Sequence, residues 1–269
     1  MTREVPRGLI GVVHLPALPS DPGYRSGGFE AAIASARRDA QAYAEGGASA
    51  LIIENFGSAP FPKGAPEQPT PPFAVAAIAR AVEACRGAGL PIGVNVLRND
   101  AEAAMGIAAA CGCGFVRVNV HIGVYVTDQG LVEGRAYDTL RLRARLGADV
   151  AICADVRVKH AAPLAARPIE EEVDDLVRRG GADAVIVTGR GTGHRTDPND
   201  VAAVHAEIQG TGAAVWVGSG VTVDNVDDFL ETADGVIVGT SLKRGGQVDA
   251  PVDPARVRAL AERIRAHGD

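Results

Sequence analysis

Eight short runs of aliphatic and β-branched residues recur along this chain, and that repeat constrains its fold more than any other feature. They span 9–14, 50–54, 91–96, 115–119, 150–155, 184–188, 214–218 and 235–239. Near-continuous apolar strands belong to parallel sheets covered on both faces by helices. Between and after the runs lie segments with polar residues at helical spacing: 29–45, 73–87, 101–110, 138–146, 169–179, 198–209, 223–232 and 254–267. Asp100, Asp197-Pro198 and Asp253-Pro254 supply N-cap residue types where three of these segments begin. Gly46-Gly47, Gly87, Gly147 and Gly180-Gly181 stand where helices should stop. Eight strand–helix units in 269 residues predict an α/β fold, a (β/α)8 TIM barrel that occupies 1–269 as one domain. An open doubly wound sheet is the alternative, but the first strand-to-helix turn lacks the G-x-G-x-x-G of dinucleotide-binding folds.

Composition removes several function classes. A net charge of −6 with 4% aromatic residues argues against nucleic acid as a partner. No apolar run reaches the length of a membrane span, and the first residues do not read as a signal peptide. The expected setting is therefore cytoplasmic, without integral membrane contact. Cys85, Cys111, Cys113 and Cys153 fall in apolar segments and read as reduced packing residues. Cys111-x-Cys113 has no second pair with which to build a zinc ribbon.

In a barrel, chemistry sits at the C-terminal ends of the strands. Those ends carry His14, Glu54, Asn95, Arg117, Asn119 and His121, then Asp155 with Lys159 and His160 beyond it. Polar groups converging from five strands would be costly to desolvate without a ligand. Asp155 or Glu54 is a candidate general base. Lys159 is a candidate acid, base or Schiff-base amine, and Asn95 and Asn119 are candidate hydrogen-bond donors to an enediolate. The last two strands end in Gly218-Ser219-Gly220 and Gly239-Thr240-Ser241, the usual phosphate position of this fold. Glycine lets the main chain approach an anion, and the hydroxyls add donors. Gly189, His14 and His121 are further candidate ligand contacts, and Arg190 or Arg195 could cover an anion from the loop after 184–188. Two carboxylates near histidines leave a divalent metal open as a cofactor, although no H-E-x-x-H spacing is present. The loop containing Thr127–Gly130 and Glu133–Arg135 is expected to cover the mouth.

The stretches Gly11-Val-Val-His-Leu-Pro-Ala-Leu-Pro19, Ile53-Glu-Asn-Phe-Gly-Ser-Ala-Pro-Phe61 and Gly93-Val-Asn-Val-Leu-Arg-Asn-Asp100 resemble the BtpA family. So do Arg117-Val-Asn-Val-His121, Ala154-Asp-Val-Arg-Val-Lys-His-Ala161, Val217-Gly-Ser-Gly-Val221 and Val238-Gly-Thr-Ser-Leu-Lys243. The resemblance implies a barrel of the ribulose-phosphate-binding type. The family's name derives from a role in photosystem I accumulation, yet members that resemble it occur in non-photosynthetic organisms. The segment Thr188-Gly-Arg-Gly-Thr-Gly193 departs from the turn expected there.

These readings converge on an enzyme acting on a small phosphorylated metabolite, a sugar phosphate or a nucleoside-derived one. The chemistry expected is of the isomerase, epimerase or lyase type, and Asp155→Asn is expected to abolish turnover while the fold stays intact. A non-catalytic photosystem I or membrane-complex assembly factor and a ligand sensor without turnover are the alternatives. Self-association into a homo-oligomer is expected, as is common for barrels.

Overall fold

A computed structural model describes residues 2–189 and 195–268. Eleven strands are present among the described residues. Eight of them, β1 (Gly8–His14), β2 (Ala50–Glu54), β3 (Ile92–Asn95), β4 (Phe115–Val118), β7 (Ala151–Val156), β9 (Ala184–Val187), β10 (Ala214–Val217) and β11 (Gly235–Val238), close into one parallel barrel. Each matches one of the eight apolar runs. β1 pairs with both β2 and β11, which closes the ring.

The helices are α1 (Gly28–Gly46), α2 (Pro72–Cys85), α3 (Ala101–Cys111), α4 (Ala136–Leu146), α5 (Ile169–Asp174), α6 (Pro198–Glu207) and α7 (Pro254–Gly268). Asp100 and Asp197 cap α3 and α6 by accepting the N–H of Ala103 and Asn199. Asp253 likewise accepts the Ala255 N–H. Gly47, Gly112 and Gly147 end α1, α3 and α4 in the left-handed conformation that glycine adopts without a Cβ penalty. α5 stops at Asp174, and the chain widens into a π-turn over Asp175–Arg179. The helix expected over 223–232 is only a 3-10 turn, Val226–Asp228. The β-branched Thr222 and Val223 stand at its start, and the Asn225 side chain accepts the Thr222 N–H, a turn geometry that competes with helix.

Strand parity sorts the core into two layers. Outward residues such as Leu51, Ile53, Val116, Val185 and Val236 pack beneath the helices. Inward residues fill the barrel with Ile10, Ile52, Ile186 and Ile237 around two large rings, Phe115 and Trp216, which meet edge to face at 5.4 Å. Gly93 makes room for the Phe115 ring: a Cβ there would lie 2.2 Å from it. At the N-terminal end, Asp183 and Asp234 each accept an N–H of a neighbouring strand, from Ile152 and Val215.

The segment after β4 was expected to be a loop over the mouth. It instead forms the antiparallel hairpin β5 (Val124–Thr127) and β6 (Gly130–Glu133), to which β8 (Ala161–Pro163) adds a third strand. Its inner face, Tyr125 and Val132, packs with Val120 and Val158. All four cysteines are free and buried, in line with the packing role read from sequence. Among the described residues no helix is long and apolar enough to cross a membrane.

Candidate functional site at the barrel mouth

The inward parity that places Ile10, Val12, Ile52 and Phe115 in the core delivers the last inward residue of each strand to the mouth. This top layer is His14, Glu54, Asn95, Arg117, Asp155, Thr188, Gly218 and Gly239. It is two-sided. β1, β2, β3, β4 and β7 contribute ionisable and amide side chains, whereas β10 and β11 contribute glycine.

Above it lies a cavity of about 740 Å³. His14, Glu54, Arg117 and Lys159 form one wall, and the turns 218–220 and 239–241 form the other. Thus nine of the residues singled out from sequence come together here: His14, Glu54, Lys159, Gly218, Ser219, Gly220, Gly239, Thr240 and Ser241.

The other candidates lie elsewhere. Asp155 is buried below the cavity, where Arg117 Nε and Nη2 donate to its two oxygens at 3.1 and 3.0 Å. Asn119 Nδ2 adds a third bond to Oδ2 at 2.7 Å. A carboxylate so fully engaged is a positioning group rather than a free base. Asn95 donates to the Asn119 side chain and to the Arg117 carbonyl, both at 3.1 Å. The two asparagines therefore brace the ion pair and do not line the cavity. His121 is buried away from the mouth, its Nε2 2.8 Å from the Gly180 carbonyl. The Gly189 N–H is taken by the Ser219 hydroxyl. Arg190 lies outside the described residues, and Arg195 pairs with Asp228 instead of covering the cavity. In the segment 127–135, Gln129 donates to Asp128, and Arg135 pairs with Asp138 and lies 4.0 Å from Glu102.

Burial sets the electrostatics of the cavity wall. It raises the Glu54 pKa, against the pull of Arg117 and Lys159. It lowers the Lys159 pKa, and the nearby Arg117 guanidinium lowers it further while Glu54 and Asp155 oppose. The His14 ring is pushed down to about 3 by burial and by Lys243, Lys159 and Arg117, so it is neutral at pH 7. His14 Nε2 lies 3.8 Å from Glu54 Oε1, and its ring packs against Phe56. Among the described residues no three His, Cys, Asp or Glu side chains gather as a metal-ligand set.

On the opposite wall, the glycines are steric requirements. A Cβ on Gly239 would sit 2.6 Å from His14 Cε1, and one on Gly218 would sit 2.6 Å from the side chains of Ile186 and Thr188. Gly239→Ala is therefore expected to displace His14 and cost about 1–3 kcal/mol, read by denaturant unfolding. Unchanged stability would show that His14 yields freely. The Ser241 hydroxyl donates to the Val221 carbonyl, which ties the two turns together. Lys243, buried behind them, donates to the Val248 carbonyl and lies 3.7 Å from Asp39, which also accepts the Val252 N–H.

Sequence reading gave no role to two cations here. Arg117 shares strand parity with Asn119, so period-2 counting alone would have placed it inside the barrel. Arg256 lines the cavity from the first turn of α7 and donates to the Ser241 carbonyl. Its place beside the glycine turns depends on the path of 243–253, which no local pattern reveals.

A closed eight-stranded barrel with a polar cavity at its strand C-termini defines a (β/α)8 protein. The chain belongs to the BtpA family, whose model matches residues 5–266. It is 44% identical over 255 residues to the photosystem I biogenesis protein BtpA of Synechocystis, covering 94% of this chain and 86% of that one. An uncharacterized protein of Pyrococcus furiosus is 43% identical, with 94% and 92% covered. An uncharacterized mitochondrial protein of Caenorhabditis elegans is 29% identical, with 95% and 92% covered. Among solved structures, thiamine phosphate pyrophosphorylase from Pyrococcus furiosus superposes with a TM-score of 0.59 at 14% identity, covering 96% of each chain. N-(5'-phosphoribosyl)anthranilate isomerase from the same organism gives 0.56 at 14%, covering 96% and 99%. At these identities the likeness establishes the fold.

Proposed function

We propose that the protein is an enzyme acting on a small phosphorylated metabolite held across this cavity. The observation that carries the reading is the division of the mouth: glycine turns of β10 and β11 face a wall of desolvated ionisable groups. The phosphate would lie against the main chain of 218–220 and 239–241, with Arg256 as its cation. The carbon skeleton would then reach His14, Glu54 and Lys159. Glu54 replaces Asp155 as the proton-transfer group, because Asp155 is committed to Arg117 and Asn119. Lys159 is the acid, the electrophile or the Schiff-base amine, and neutral His14 can donate or accept a hydrogen bond at a reacting oxygen. Isomerase, epimerase or lyase chemistry needs this combination. The two solved neighbours named above, whose names specify phosphorylated compounds, accord with it.

Calorimetric titration with inorganic phosphate tests the anchor. Arg256→Ala is expected to remove a charge-assisted contact worth about 1.5–3 kcal/mol, weakening phosphate binding by roughly 10-fold or more. Equal affinity for wild type and variant would remove Arg256 from the site.

The 44% identity to a photosystem I biogenesis protein supports a second reading, a non-catalytic assembly factor. The outer face of the small sheet suits it, since the cross-strand partners Val126 and Leu131 are exposed there. Comparable identity to an uncharacterized protein of Pyrococcus furiosus leaves the division of the mouth as the ground for the metabolic reading.

A further inference from the structure

Lysine is scarce in this chain. Only Lys63, Lys159 and Lys243 occur, against 24 arginines. Where a charge is needed for solubility or pairing, arginine supplies it, so a lysine at the cavity wall calls for a separate explanation. Arginine cannot act as a nucleophile, whereas an amine can once it loses its proton.

Lys159 lies just beyond β7, partly buried, and faces the cavity opposite the glycine turns. Its backbone is held in place, because the Arg98 guanidinium donates to the Lys159 carbonyl at 2.7 Å. Its ammonium has no ion-pair or hydrogen-bond partner among the described residues. Two carboxylates act on the amine through space, Glu54 and Asp155, and Asp155 is already neutralised by Arg117. Lys243 is the contrasting case: its amine is engaged by Val248 and Asp39. Lys63 lies on the outer surface near Gly130.

We infer that Lys159 is a covalent catalyst, forming an iminium with the carbonyl carbon of a phosphorylated aldehyde or ketone whose phosphate rests on the glycine turns. The inference rests on the phosphate reading above and narrows its substrate class to carbonyl compounds. Burial and the neighbouring Arg117 and Arg98 cations favour the neutral amine that the step requires, the arrangement by which a lysine is activated beside other cations. The amine adds to the carbonyl carbon and the C–N bond forms. The carbonyl oxygen receives one proton from the Glu54 carboxylic acid and one from the amine. It leaves as water, and the iminium is left carrying one N–H and a positive charge. Glu54, now a carboxylate, takes a proton from the adjacent carbon and yields the enamine. Burial, which raises the Glu54 pKa, suits it to both transfers.

Pyridoxal 5'-phosphate is a suitable probe, being a phosphorylated aldehyde whose imine absorbs visible light. The purified protein would be incubated with it, reduced with borohydride and mapped by peptide mass. The expected result is label at Lys159 and not at Lys63 or Lys243, suppressed by inorganic phosphate and lost in Lys159→Arg. Pyridoxal, which lacks the phosphate, should label Lys159 at least 10-fold less. Equal labelling by pyridoxal would retain the nucleophile and overturn the phosphate anchor. Pyridoxine 5'-phosphate, which lacks the aldehyde, separates the remaining case. A rise in Tm with it, together with no label on Lys159 from the aldehyde, would overturn the covalent role and keep the phosphate site.

Discussion

Replacing Arg117 by methionine is expected to lower the unfolding free energy by about 3–5 kcal/mol. Both groups of the Arg117–Asp155 pair are buried, and the pair is bidentate. Removing one partner strands the other charge in a site where water cannot reach it. The loss should exceed that of any surface pair, such as Arg80 with Glu30, whose exposed charges are worth about 0–1 kcal/mol. The double replacement Arg117→Met with Asp155→Leu should recover much of the stability, because it removes the stranded charge as well. Equilibrium denaturation of the single and double variants reads the effect. A single variant as stable as wild type would mean that the pair is not the keystone of the mouth. The same geometry revises what Asp155→Asn should do. Its main consequence becomes destabilisation, with loss of turnover following from a displaced Arg117.

The second large effect concerns Glu54. If Glu54 moves the proton, Glu54→Gln should reduce kcat on the phosphorylated substrate by about 10²–10⁴. The fold should respond in the opposite sense. Burial raises the Glu54 pKa above its usual 4.5. A raised folded value means that this group's contribution is fully present below pH 4.5 and is lost as pH rises through the folded value. As pH rises, ionising this carboxylate costs more in its desolvated site than in the unfolded chain, a cost that Arg117 and Lys159 partly offset. Glu54→Gln is therefore expected to be more stable than wild type at pH 8, and the difference should shrink toward pH 4.5. Stability gained with activity lost is the mark of a site held at a cost to the fold. A variant less stable at every pH would assign Glu54 a structural role.

The barrel was legible in the sequence because its signal is local. Each strand is a short apolar run, and Asp100, Asp197 and Asp253 mark helix starts that the structure confirms. Strand ends were equally legible, so His14, Glu54 and the two glycine turns could be placed at the mouth from strand position alone. Which polar residues neutralise one another was not legible. Arg117 and Asp155 are separated by 38 positions in the chain, and their pairing depends on strand order and register. The β5–β6–β8 sheet escaped notice for a similar reason. Its strands have three or four residues, too few for an alternation pattern to stand out, and β8 pairs with β5 across the whole of α4 and β7. Arg256 arrives from a helix start whose distance from the glycine turns only the folded loop 243–253 determines.

The central claim is that the glycine turns of β10 and β11 hold phosphate. Thermal unfolding against a panel of phosphorylated metabolites, with and without Mg²⁺, Mn²⁺ and Zn²⁺, tests it most directly. A ligand present at 100 times its dissociation constant should add about 2.7 kcal/mol of stability, a readable rise in Tm. The expected result is a rise with a small sugar phosphate that its unphosphorylated counterpart does not produce. No rise with any phosphorylated compound, inorganic phosphate included, would contradict the phosphate site and leave the assembly-factor reading in its place.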